Sequence, residues 1–180
     1  MRYVAFLRAI NVGGSHVVKM DVLRELFGGL GFVNVETFIA SGNVIFETRS
    51  KDVKGLEKKI ENALEAALGF EVMTFVRTLT EVVAIARHQP FPPATMAAAV
   101  ALNVGLLKEP LKASAKAALP SLRTSIDDFH AHGSELYWVC LKRQSESRIS
   151  NAVFERVLEL NATFRGMKTL EKLLAKYRVE

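Results

Sequence analysis

A chain of 180 residues, 49% hydrophobic and 24% charged, holds enough apolar content for one large or two small packed domains, which excludes global disorder. The net charge of +5 and isoelectric point near 9.4 favour acidic partners but are too mild to mark a nucleic-acid binder alone. Cys140 is the sole cysteine, so no intramolecular disulfide forms, and the longest apolar run, residues 96–107, is too short to span a bilayer.

The opening "MRYV" leads straight into strand-like alternation with no signal-peptide pattern, so the expectation is a soluble, cytoplasmic chain. Residues 3–11 predict a first strand, ended by Gly13 and Gly14. "MDVLRELFGGLGF" then sets Val22, Leu23, Leu26, Phe27 and Leu30 on one helical face, with Gly31 placed to close it in a left-handed turn. Two strands, 33–40 and 43–49, follow around Ser41 and Gly42. A long helix comes next, with Ser50 as N-cap and Val53, Leu56, Ile60, Leu64 and Leu68 at helical spacing. Residues 70–77 predict a fourth strand. Thr78 and Glu81 form a capping box opening a short helix to about His88.

This βαββαβ order is that of the split-βαβ, ferredoxin-like plait. "QPFPPAT" reads as a linker, and beyond it the order partly repeats. Residues 98–107 predict a buried strand, and Pro110 suits the first turn of a helix to Leu119. Strands 124–132 and 135–142 pair across Gly133. A helix from about Arg148, a short strand at 162–165 and a helix at 167–178 complete the chain. The expected fold is α+β: two tandem ferredoxin-like plaits with antiparallel sheets and an extra C-terminal helix. The expected boundaries are 1–90, a linker at 91–95, and 96–180.

Three stretches, "LRAINVGG", "KMDVLRELFGGLGF" and "ASGNVIF", resemble the bacterial domain of unknown function 1697 family. The family's Ser-Lys-Leu-Thr-Asn-Ala pattern is matched by Ser147, Arg148, Ile149, Ser150, Asn151 and Ala152, and its Thr-Thr-Arg by Thr163, Phe164 and Arg165. This chain departs from the family at Ala9, Val17 and Ala40, and at Gly166, Met167 and Lys168, where the family continues Asn-Trp-Asn. The resemblance implies a plait-based fold and, by its own name, no assigned activity.

Along the first strand Arg8 shares a face with Val4, Phe6 and Ile10, while Ala5 and Ala9 read as the helix-packed face. If the Arg8 face is uncovered, its planar donor fork suits a carboxylate or phosphate. Asn11 and the amides of Gly13 and Gly14 stand beside it, and Ser41, Gly42 and Asn43 form a second polar turn. Arg148 and Asn151 sit in the expected first turn of a helix, with Arg165 as a further cation. The competing reading makes Arg8 the partner of Glu36 or Glu47 and Asn11 a turn cap.

The function expected is a binding module for an anionic ligand: a nucleotide-like or phosphorylated small molecule, or nucleic acid. One alternative is an enzyme acting on a phosphorylated or carboxylated substrate. Its weakness is the lack of a visible nucleophile, general base, P-loop or dinucleotide fingerprint, so no cofactor is expected. The other alternative is an oligomeric scaffold without ligand. Asp128, His130 and His132 alternate along one strand and offer metal-type donors, but beside a hairpin turn they read first as a solvated polar face. No metal is therefore expected. His16 and His88 read as isolated, Cys140 as buried and inert, and Lys168, Lys172 and Lys176 as a solvated stripe.

Overall fold

β1 (Arg2–Leu7) is buried on both faces, with Val4, Ala5 and Phe6 at 0% exposure. A continuous apolar run with no polar alternation is what a strand covered on both sides requires. The computed structural model describes residues 1–12, 14 and 16–177, and the chain divides into two compact units, Met1–Val83 and Ala84–Glu180. Among the described residues it is an α+β protein with two four-stranded antiparallel sheets and seven α-helices.

In the first unit β1 is followed by α1 (Met20–Gly29), β2 (Val33–Phe38), β3 (Asn43–Glu47), α2 (Val53–Leu68) and β4 (Thr74–Thr78); α3 (Leu79–Arg87) runs across the boundary, so that Ile85 and His88 belong to the second unit. The strand order is β2-β3-β1-β4, every neighbour antiparallel. Tyr3, Ala5, Leu7, Val44, Phe46 and Val76 form one core with Leu23 and Phe27 of α1 and Leu56, Ile60 and Leu64 of α2. Gly69 closes α2 at φ 79°, the left-handed C-terminal conformation that glycine adopts without strain. The N-cap, however, is Asp52 and not Ser50: Gly55 N–H donates to Asp52 Oδ1 at 3.0 Å, while Ser50 Oγ accepts from the Asp52 amide. Both residue types cap well, and the one nearer the first turn prevails.

Among the described residues the outer edge of β4 faces no strand, yet its amides are occupied. Thr74, Val76 and Thr78 donate to Glu61 Oε1, Glu57 Oε1 and Glu81 Oε2 at 2.8, 2.9 and 2.7 Å. Three carboxylates thus close an edge that would otherwise be a template for another strand. The capping box at Thr78 and Glu81 stands as expected.

The second unit contains α4 (Pro93–Ala98), β5 (Ala101–Leu107), α5 (Ala113–Ala118), β6 (Asp127–His132), β7 (Glu135–Cys140), α6 (Asn151–Leu158), β8 (Ala162–Gly166) and α7 (Met167–Lys176). Its strand order, β6-β7-β5-β8, matches that of the first sheet position for position. Trp138 packs among Phe129, Phe154 and Phe164, with Leu136 and Leu158 in the same core. Gly105 lies under the Phe164 ring, and a Cβ there would come within 2.7 Å of it.

Several expected boundaries move. Residues 91–95 run into α4, whose first position is Pro93. Pro110 stands ahead of α5, which tightens into a 3-10 turn at Leu119–Leu122, where Pro120 has no N–H to continue the α ladder. The helix expected from Arg148 begins at Asn151, because Ser150 takes the N-cap and accepts from the Val153 amide. In α7, Leu170, Leu173 and Leu174 are buried as the lysine stripe implies. The expected continuation to Arg178 lies outside the described residues.

Candidate functional site

β1 stops at Leu7, so Arg8 lies just past the strand and not on its face. Its amide donates to Met73 O, and Ala9 turns the chain with φ 56°. The face expected to be open is buried: Val4, Phe6, Ile45 and Phe75 are all at 0–1% exposure. Ala9, expected on the helix-packed face, is exposed. Arg8 itself is half-buried.

The following loop is unusual in its backbone. Ala9, Asn11, Gly14 and His16 all have positive φ, between 49° and 77°. Asn11 ties its start to Val18 and Ala40. Its Nδ2 donates to Val18 O at 3.1 Å and Ala40 O at 2.9 Å, and its Oδ1 accepts from the Val18 amide at 2.8 Å. The Asn11 amide donates to His16 O, and the His16 ring stacks on Phe70 with centroids 4.2 Å apart. Gly14 sits in open space. Gly13 lies outside the described residues.

The second expected turn is brought to the same end of the sheet. Leu7 N–H donates to Gly42 O, and Asn11 reaches Ala40 O. Gly42 has φ 73° and backs onto Ile10, leaving no room for a side chain. Asn43 is fully buried, its Nδ2 donating to Phe38 O and Ser41 Oγ at 3.0 Å. The side-chain amide of Asn11 thus joins the two turns, and that of Asn43 holds the second turn closed. At this end of the sheet Arg8 is half-buried and Gly14 is exposed.

In the second unit Arg148 is exposed in the loop before α6, not in its first turn, and Asn151 is exposed at the helix start. Arg165 does not join them. It is buried on β8 and donates through one guanidinium nitrogen to Thr163 Oγ1 and Phe164 O, both at 2.9 Å. Burial holds that guanidinium down at about 10. A cation bound into its own strand is not available as an exposed anion contact.

The polar strand β6 also differs from expectation. Asp128 is taken by Arg123 at 2.5 Å and by the Phe129 amide. In its place comes His88, from the end of α3. Its ring stacks on His132 at 4.1 Å and lies 5.7 Å from His130. Tyr137 OH donates to Ile85 O at 3.1 Å and so anchors the end of that helix beside β7. One donor atom from each of the three histidines falls within 4.8 Å of the others. His88 Nε2 is buried with no hydrogen-bond partner among the described residues. Burial first, then His132 and His130, lowers the His88 pKa below 6.5.

A family model described as "Protein of unknown function (DUF1697)" matches residues 1–137. The chain belongs to this family. The solved structure of the conserved bacterial protein SP0830 from Streptococcus pneumoniae is similar to this DUF1697 chain, with TM-score 0.76 over 99% of this chain and 98% of that one. Identity is 23%, which speaks for the fold alone. No curated protein matches the DUF1697 chain. Among its described residues no helix is long and apolar enough to cross a membrane.

Sequence reading missed two groups in this DUF1697 protein. His88 lies far along the chain from β6, so no spacing pattern links it to His130 and His132. The second is Asp127, a buried carboxylate that accepts from Trp138 Nε1, Thr124 Oγ1 and Ser147 Oγ at 2.8, 2.6 and 3.0 Å. The Ser147 of the family-like stretch therefore ties its loop to the core.

Proposed function

We propose that this DUF1697 protein is a binding module for a small anionic ligand, received by Arg8 and the described residues of the loop that follows it, 9–12, 14 and 16–17. What carries the reading is the concentration of left-handed backbone in that loop, at Ala9, Asn11, Gly14 and His16. Each non-glycine residue held there costs about 1–3 kcal/mol. Such strain persists only where surrounding bonds impose it, as the Asn11 clamp does here. Right- and left-handed residues in alternation turn backbone amides toward a common point, the arrangement that concavities for phosphate and carboxylate use; the amides of Arg8 and Asn11, taken by Met73 O and His16 O, are not among those on offer here. Arg8 supplies a planar cation beside it.

A phosphorylated small molecule or nucleotide fits one short loop better than a nucleic-acid backbone, which needs a track of cations. The repeated element order and the matching strand orders support reading each unit as a ferredoxin-like plait. A lone buried thiol suits a cytoplasmic setting.

The test is a thermal-shift screen with nucleotides, sugar phosphates and short oligonucleotides, repeated at low and high salt. A nucleotide or sugar phosphate should raise Tm by mass action, with modest salt dependence, and Arg8→Ala should abolish the shift while retaining the circular dichroism spectrum. Absence of any shift, or an Arg8→Ala variant that responds like the parent, overturns the reading. A response confined to oligonucleotides and steeply weakened by salt also overturns it.

A further inference from the structure

We propose that His88, His130 and His132 form a binding site for a divalent transition-metal ion of the zinc, cobalt, nickel and copper class. The inference is independent of the anion reading, because it uses no residue of the Arg8 loop. Three imidazole nitrogens from two separate elements converge to within 4.8 Å. An all-nitrogen donor set selects these borderline metals over calcium or magnesium, which require oxygen ligands.

The arrangement is near ligating geometry but not yet in it. Tetrahedral zinc with bonds of about 2.0–2.1 Å places its nitrogen ligands about 3.3 Å apart. Closing that gap requires the His132 ring to leave its stack on His88, since imidazole binds metal in the ring plane. His132 is exposed beside the Gly133 turn and has the room to swing. The other two rings are more constrained. His130 sits on β6 with Phe91 edge-on to its ring at 6.4 Å. His88 is held against Tyr137, ring centroids 5.1 Å apart, where the Tyr137–Ile85 bond fixes the helix end.

The buried, unpartnered Nε2 of His88 points the same way. A buried polar nitrogen without a partner is a cost that a metal bond would remove. Asp128 is bound to Arg123 and supplies no fourth ligand. With three protein ligands among the described residues, one coordination position stays open to water or a small anion.

The probe is the metal ion itself. Full-length protein, freed of any purification tag and stripped with chelator, is titrated with Zn²⁺ by calorimetry and with Co²⁺ by visible absorption. One ion per chain is expected, with the intense cobalt bands of a four-coordinate site. His132→Ala and His130→Ala each remove a ligand and should weaken binding by at least the ~10-fold that loss of a mere outer-shell partner costs. His132 is exposed, so its variant should keep the metal-free Tm. The chain has four histidines, and His16→Ala is the control that should bind like the parent. The proposal is overturned if neither metal binds, if affinity survives both strand substitutions, or if His16→Ala weakens binding equally.

Discussion

Glu57 Oε1 accepts the amide of Val76 at 2.9 Å, with both residues buried. A helix carboxylate thus substitutes for the strand that β4 lacks on its outer side. Glu57→Ala should leave the Val76 amide unpaired in the core and cost about 1–3 kcal/mol. Glu57→Gln keeps an acceptor oxygen and should cost less. Urea denaturation followed by circular dichroism distinguishes them, and equal losses would refute the hydrogen bond as the cause.

Asp127 holds the only tryptophan through its indole N–H. Asp127→Ala should destabilise by about 2–4 kcal/mol, because Trp138 is buried and no water can replace the lost acceptor. Thr124 and Ser147 are nearer solvent and can find other partners, so Ser147→Ala should cost about 1 kcal/mol. Trp138 fluorescence during urea unfolding reads both effects directly.

Cys140 is fully buried, and desolvation, with Asp127 adding to it, pushes its thiol up to about 12. The thiolate is the reactive form, so native protein should resist Ellman's reagent at pH 8. Unfolded protein should react once per chain, since the chain has one cysteine. Labelling kinetics across a urea series should then track global unfolding. Rapid stoichiometric labelling of native protein would contradict the burial.

Arg2 bonds Glu47 at 2.8 Å across the β1–β3 register and holds its carboxyl below the ordinary 4.5. A carboxylate with a lowered folded pKa stabilises fully above its unfolded value. That contribution is lost as pH falls through the lowered folded value. Arg2→Ala should therefore be less stable than the parent above pH 4.5, and the difference should vanish in stronger acid. The pair is exposed to solvent, so added salt should shrink the difference as well. Thermal melts at several pH values, in low and high salt, measure both trends.

Strand and helix order was legible because alternation and 3.6-fold spacing are written directly in the apolar residues. Local backbone was not. Nothing in "RAIN" announces that Ala9 adopts φ 56°, since alanine rarely does so, and the apolar run therefore reads through the true end of β1. Burial of a cation is equally silent. Arg77 and Arg165 occupy matching registers, opposite Val4 and Val104, and each donates to the carbonyl of the residue before it. The repeat is plain in that register and nearly absent from residue identity. For the candidate sites, the two turns of the first unit were readable as neighbours from the hairpin. His88 was not, because only the folding of α3 carries it to β6.

Gly105 and Phe164 cannot change separately: the ring occupies the space that a side chain at position 105 would need. Among related chains the two positions should therefore covary. Glycine should accompany the aromatic ring, and a bulkier residue at 105 should appear only where 164 has become smaller. Such pairing, counted across an alignment, would verify the β5–β8 register from evolution alone.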